Sequence, residues 1–175
     1  MAVRAVLRMG DPRLLIPSEP VAGLDTAELH QLVADLWETM AAYQGAGLAA
    51  PQIGVHQRVV VFAVDANPRY PEAEAVPATT LVNPELHPLS QERDSDWEGC
   101  LSLPGLAGQV PRYRHLRYTG LTPEGVPIDR EVTGFHARVV QHECDHLDGL
   151  LYPMRMTDLA TLGFVDELRA EPPAE

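Results

Sequence analysis

Long apolar runs are missing from this chain. The longest, "VVVFAV" from Val59 to Val64, falls far short of the ~20 residues that cross a bilayer, so no membrane contact is expected. The opening "MAVRAVLRMGDPRLL" has neither a long apolar core nor a small-residue cleavage site, so it does not read as a secretory signal and a cytoplasmic protein is the expectation. Cysteine is scarce. Cys100 and Cys144 allow at most one disulfide, which a reducing compartment would not preserve. Cys100 is therefore expected to be a ligand, a nucleophile or core filler. Basic residues are outnumbered, 13 against 25 acidic ones, for a formal net charge of −12. That balance argues against nucleic-acid binding by phosphate neutralisation and would repel an acidic membrane surface. Repeats and low-complexity segments are absent as well.

What is present suffices for one globular unit. The 175 residues, 45% of them hydrophobic, predict a single catalytic-sized domain spanning 1–175 around one core. The first stretch reads as a short extended piece ending in a turn at Gly10, Asp11 and Pro12. Beyond it, Leu29, Leu32, Val33, Leu36 and Met40 recur at three and four, predicting an amphipathic helix capped by Asp25 or Thr26. "GAGLAAPQIG" reads as a loop and "RVVVFAV" (58–64) as a buried strand. Five prolines between Pro68 and Pro88 suggest an irregular stretch with a short strand at "ATTLV". A hairpin is expected from Arg112 to Thr133, turning at "TPEG", with Tyr113, His115 and Tyr118 on the sheet surface. A helix across "GFHARVVQHECDHLDG" and a short one from Thr157 to about Leu168 close the chain. Strands with helices at the ends indicate an α+β domain.

His142, Glu143 and His146 form H-E-x-x-H. At about 100° per helical residue the two histidines lie only ~40° apart, one turn along, which brings both imidazoles to one metal ion. Glu143 flanks that face, close enough to work on a water at the metal without being a ligand. Val140, Cys144 and Leu147 point away from the histidines, while Phe135 and Val139 share their side; Cys144 is thus expected in the core. Asp145 is expected to orient a ligand from behind. Arg138, polar in an apolar stretch, calls for a buried ion-pair partner. A catalytic metal needs a third donor and an open position. Downstream of His146 there is no histidine or cysteine, only carboxylates such as Asp148, Asp158, Asp166 and Glu167. Cys100, in the glycine-flanked run "EGCLSLPG", is the best third donor. A metallopeptidase with a histidine or acidic third ligand, and a non-enzymatic metal-stabilised or peptide-binding module, are the competing readings of the same helix.

"GAGLAAPQ", "EGCLS" and "QHECDH", in that order and at these separations, together resemble the three signature motifs of peptide deformylase. The resemblance extends to "LRMGDPRL", "GFHARVVQHE" and "LDGLLYP" and covers nearly the whole chain. It implies an α+β fold of small antiparallel sheets surrounding a central metal-bearing helix, with an N-terminal amphipathic helix and a short C-terminal helix. It implies hydrolysis of the N-formyl group from the formylmethionine of nascent polypeptides, releasing formate. It implies a divalent ion, ferrous iron by preference with nickel, cobalt or zinc as substitutes, held by Cys100, His142 and His146. Glu143 would be the acid/base, with Gln52 and the Leu101 backbone N–H binding the oxyanion. Gly45 and Gly47 would approach the peptide backbone, Phe135 and Val139 would line the methionine pocket, and Glu98 paired with Arg112 would border the site and stiffen the cysteine loop. N-formylmethionyl nascent peptides are the implied partners. Some relatives dock at the ribosome through a longer, basic C-terminal helix; the tail "GFVDELRAEPPAE" is short and acidic, so direct docking of that kind is not expected here.

Overall fold

The computed structural model describes residues 2–65 and 75–168. Its frame begins with a capped helix. The Thr26 hydroxyl accepts from the Leu29 N–H and starts α1 (Ala27–Ala42). The helix buries Leu29, Leu32, Leu36 and Met40 against Leu48, Ile53, Val59, Val61 and Val82.

Two antiparallel sheets follow. One has five strands, in the order β1 (Gly47–Ala49), β2 (Val59–Val64), β3 (Val76–Pro88), β6 (His115–Leu121) and β7 (Pro127–Thr133). The other has three, β4 (Arg93–Cys100), β5 (Leu103–Tyr113) and β8 (Gly163–Phe164). The run "VVVF" is buried throughout because β2 is covered on both faces. Val59 and Val61 face α1, whereas Val60 and Phe62 face α2 (Gly134–Leu147), where they meet Ala137, Val140, Cys144 and Leu147. The helix α2 thus packs on the large sheet. Its other side reaches the small sheet, where Cys100, Leu103, Val110, Leu151 and Tyr152 form a third apolar cluster. This is the α+β arrangement of small sheets around a central helix.

Several local expectations are corrected. The segment expected as a loop holds β1, paired with β2 from Gly47↔Phe62 to Ala49↔Val60, and then a 3₁₀ turn, Ala50–Ile53. Pro51 lies in the first turn of that 3₁₀ segment, where its missing N–H costs nothing, and Gly54 ends it at φ 82°. The strand expected at "ATTLV" runs over 13 residues. Its register shifts between Val82 and Glu85, where Asn83 turns to φ 51° and Pro84 lies outside the ladder. The part of that proline-rich stretch at 66–74 lies outside the described residues. The hairpin starts at His115, because Arg112 belongs to β5 opposite Asp94.

Tyr118 is not on the sheet surface but fully buried. β6 is an interior strand, and its alternation turns Leu116 and Tyr118 toward α2, where Tyr118 meets Phe62 edge-on at 6.2 Å. The closing helix is broken. Asp158 caps a 3₁₀ turn, Leu159–Thr161, and Gly163–Phe164 pairs with the edge of β5, leaving only α3 (Val165–Leu168). Open backbone groups on that edge compete successfully with one more helical turn. The tail from 169 lies outside the described residues.

Leu36 shows no surface and belongs to the apolar cluster under α1. Leu36→Ala is expected to lower stability by about 2–5 kcal/mol, read as a lower urea midpoint with unchanged slope.

Candidate active site

The short link between β4 and β5 brings the sulfur to the helix. β4 ends at Cys100, Leu101 and Ser102 make the turn, and Leu103 pairs back onto Cys100. That turn lays the Cys100 Sγ 3.3 Å from His146 Nε2. One turn earlier, the His142 ring stands 5.1 Å from that of His146, centroid to centroid. One donor atom from each of Cys100, His142 and His146 lies within 4.8 Å of the others, and among the described residues this is the one such group.

The donors fit a metal ion on three further observations. The His142 Nδ1 is bonded to Glu98 Oε2 at 2.8 Å, which fixes the ring and leaves its other nitrogen for coordination. Burial alone would raise the Cys100 thiol, but His146 and then His142 outweigh it and bring the thiol well below its ordinary range. Thiolate is the form that binds a metal. Finally, one sulfur and two nitrogens make three ligands, the number that leaves a position open.

Glu143 is not among the donors. It is buried, and its Oε2 has no hydrogen-bond partner among the described residues. Burial pushes its carboxyl up to about 7, against the pull of His142 and His146. Gly47 is what gives it space: a Cβ there would sit 2.3 Å from Glu143 Oε1. Gln52 is pinned at both ends. Its Oε1 accepts from the Ala49 N–H at 2.8 Å, and its Nε2 donates to Ser102 Oγ at 3.1 Å while facing the Cys100 sulfur at 3.5 Å.

A cavity of about 40 Å³ opens beside these groups. Gln52, Cys100, Leu101, His142 and Glu143 line it, and Gly45 and Gly47 border it. Phe135, Val139 and Glu98 complete the expected set. His146 and Arg112 lie behind that lining; both are buried.

Sequence reasoning left some neighbours unassigned. Trp97, half-exposed, and Arg138 also line the cavity. The missing partner of Arg138 is Glu98, at 2.8 Å, and the same guanidinium donates to the carbonyls of Val110 and Asp94. A signal was available, since Arg138 stands four residues before His142, on the same helical face, and both reach Glu98. Arg112 grips Glu98 with two parallel bonds of 2.8 and 2.9 Å. Burial would raise the Glu98 carboxyl, but Arg112 and then His142 hold it far below the usual carboxylate range. Asp145 touches no donor. It accepts from Arg112 and Arg155, so it orients the arginine rather than a ligand. Cys144 is buried in the core, its thiol pushed up by burial.

A family model described as polypeptide deformylase matches residues 3–161. A peptide deformylase 1 from Nitrosomonas europaea is 59% identical over 166 residues, 95% of this chain and 94% of that protein. A peptide deformylase 1 from Bordetella pertussis is 58% identical over 169 residues, 97% of this chain and 96% of that one. Among solved structures, the Met-Ala-Ser-bound class I type b peptide deformylase from Acinetobacter baumannii superposes with a TM-score of 0.85 at 39% identity, over 89% of this chain and 99% of that one.

Glu98, Arg112 and Arg138 have side chains only 5%, 5% and 8% exposed. Removing the carboxylate leaves the buried Arg138 with carbonyl partners alone and Arg112 with Asp145 as its one remaining carboxylate. Glu98→Ala is expected to cost about 3–5 kcal/mol in urea unfolding of the metal-free protein, with Glu98→Gln costing less because its amide oxygen still accepts from one arginine.

Proposed function

The chain belongs to the peptide deformylase family, an enzyme that removes the N-formyl group from nascent polypeptides, and from that premise we propose how its residues share the work. The family uses a metal ion, and the observation carrying this reading is the convergence of one sulfur and two imidazole nitrogens beside a buried carboxylate with a partnerless oxygen. Cys100, His142 and His146 would hold the ion, which when bound would supply Lewis acidity, lowering the pKa of a water toward ~7 and polarising a carbonyl.

Glu143 takes the proton of the attacking water and returns it to the leaving amine nitrogen. Burial raises this carboxyl above its ordinary range, which makes it a better proton acceptor than a solvated glutamate. As the formyl carbon becomes tetrahedral, its oxygen gathers charge. The Gln52 amide, held in place by Ala49 and Ser102, and the Leu101 backbone N–H donate to it, each worth ~3 kcal/mol in comparable sites. The formyl group is small, in keeping with a cavity of about 40 Å³.

Substrate position follows from the sheet. β1 is the outer strand of its sheet, and an extended peptide adds to such an edge by main-chain hydrogen bonds. Gly45 and Gly47 present no side chain where a β-carbon would meet Leu101 and Glu143. Phe135 and Val139 supply the apolar wall for the methionine, and Glu98 borders it while Arg112 fixes Glu98. The Acinetobacter structure bound to Met-Ala-Ser supports a substrate that begins with methionine.

Iron(II) is the native ion in this reading, with nickel, cobalt or zinc as substitutes, since a thiolate and two imidazoles suit all of them. The chain works in the cytoplasm, where formylated chains emerge; no helix among the described residues is long and apolar enough to cross a membrane. Ribosome proximity needs no docking tail, and beyond Leu168 the sequence holds a single basic residue, Arg169.

Formate release from formyl-Met-Ala-Ser, with protein prepared without oxygen, tests the reading. Glu143→Gln is expected to retain its metal by elemental analysis and to lose at least ~10²-fold in kcat. Cys100→Ala is expected to lose the metal along with turnover. A Cys100→Ala protein that keeps both would favour the metallopeptidase alternative. Chelation of the wild-type ion is expected to lower Tm, because the bound ion stabilises only the folded donor set.

A further inference from the structure

A second groove, of about 440 Å³, adjoins the site at Cys100 and Leu101. Val6, Arg8, Tyr43, Leu101, Leu106 and Val165 line it. Arg8 is distinctive there. Among the described residues it is the one arginine whose side chain has neither an ion pair nor a hydrogen bond, in a chain of net charge −12. Its side chain is exposed, and its backbone is fixed to the site on both sides. The Leu7 N–H donates to the Gln52 carbonyl at 2.8 Å, and the Met9 N–H donates to the Ser102 carbonyl at 2.7 Å.

The direction of the peptide leads to it. Gly47 abuts Glu143, where the formyl group must lie. Gly45, two residues outward, abuts Leu101, since a Cβ there would sit 2.9 Å from Leu101 Cδ1. A chain extended along this edge at ~3.3 Å per residue therefore leaves the reacting end at Glu143 and passes Leu101 within two or three residues. There the groove begins.

We propose that Arg8 is a specificity-determining residue that takes a carboxylate from the second or third residue of the substrate, so that this enzyme favours acidic over basic nascent N-termini. The inference rests on the deformylase reading above. The overall negative field would repel acidic peptides; an unpaired guanidinium beside the exit path reverses that locally, with geometry suited to a carboxylate.

The test compares kcat/KM for C-terminally amidated formyl-Met-Glu-Ala against formyl-Met-Lys-Ala, and formyl-Met-Ala-Glu against formyl-Met-Ala-Lys, with the metal-loaded full chain. The expected glutamate-to-lysine ratio is on the order of 5 at one of the two positions, shrinking as salt rises. Arg8→Lys should retain the preference, Arg8→Gln should bring the ratio to about 1, and Arg8→Glu should invert it. A wild-type ratio of one or less at both positions, or a preference that survives Arg8→Gln, would overturn the proposal while leaving the deformylase reading intact. Failure to release formate from any of these peptides or from formyl-Met-Ala-Ser would overturn that reading, and this proposal with it.

Discussion

The carboxylate of Glu98 is the point on which the rest of the site depends. It receives Arg112 from β5, Arg138 and His142 from α2, and itself belongs to β4. One anion thus ties the small sheet to the central helix in a dry interior, where a lone charge would be intolerable. Because His142 is one of the three, the same anion that joins two layers also sets the angle of an imidazole. Asp145 extends the network through Arg112 to Arg155, so that the turn after α2 is anchored to the same hub. Position of the donors and cohesion of the two layers are here one interaction seen from two sides.

Much of this was legible in the residues. Helical spacing alone placed His142 and His146 on one face, and the scarcity of other donors directed attention to Cys100. The apolar period of α1 and the continuous run in β2 needed only local pattern. Less accessible was whatever depended on pairing partners distant in sequence. Nothing near Tyr118 reveals that its strand is interior, and nothing in the "TDLATLGF" stretch reveals that β5 has an edge waiting for Gly163 and Phe164. The extent of β3 was hidden by its prolines, because the bulge at Asn83 that accommodates Pro84 is a feature of the sheet. Arg138 was recognised as anomalous, yet its partner lay 40 residues away on β4.

The division of labour within α2 follows from its two neighbours. The side carrying Val140, Cys144 and Leu147 is spent on the large sheet. The opposite side must face a small sheet that ends at the Cys100 turn, and polar residues gather there: Arg138, Gln141, His142 and Asp145. Gln141 illustrates the accounting, since its amide satisfies both the N–H and the carbonyl of Tyr113 where β5 ends. A helix so placed can be buried and still carry charge, because each polar group meets a fixed counterpart.

The contact between Gly47 and Glu143 carries a consequence for chemotherapy. A compound that gains its affinity from the bare backbone at Gly47 rests on a position where every replacement residue carries a β-carbon, and a β-carbon there would sit 2.3 Å from Glu143 Oε1, the carboxylate proposed above as the proton carrier. Resistance by substitution at that spot would have to displace the Glu143 carboxylate. Drug pressure would be deflected to the rim of the cavity, where the half-exposed Trp97 can change without such a collision.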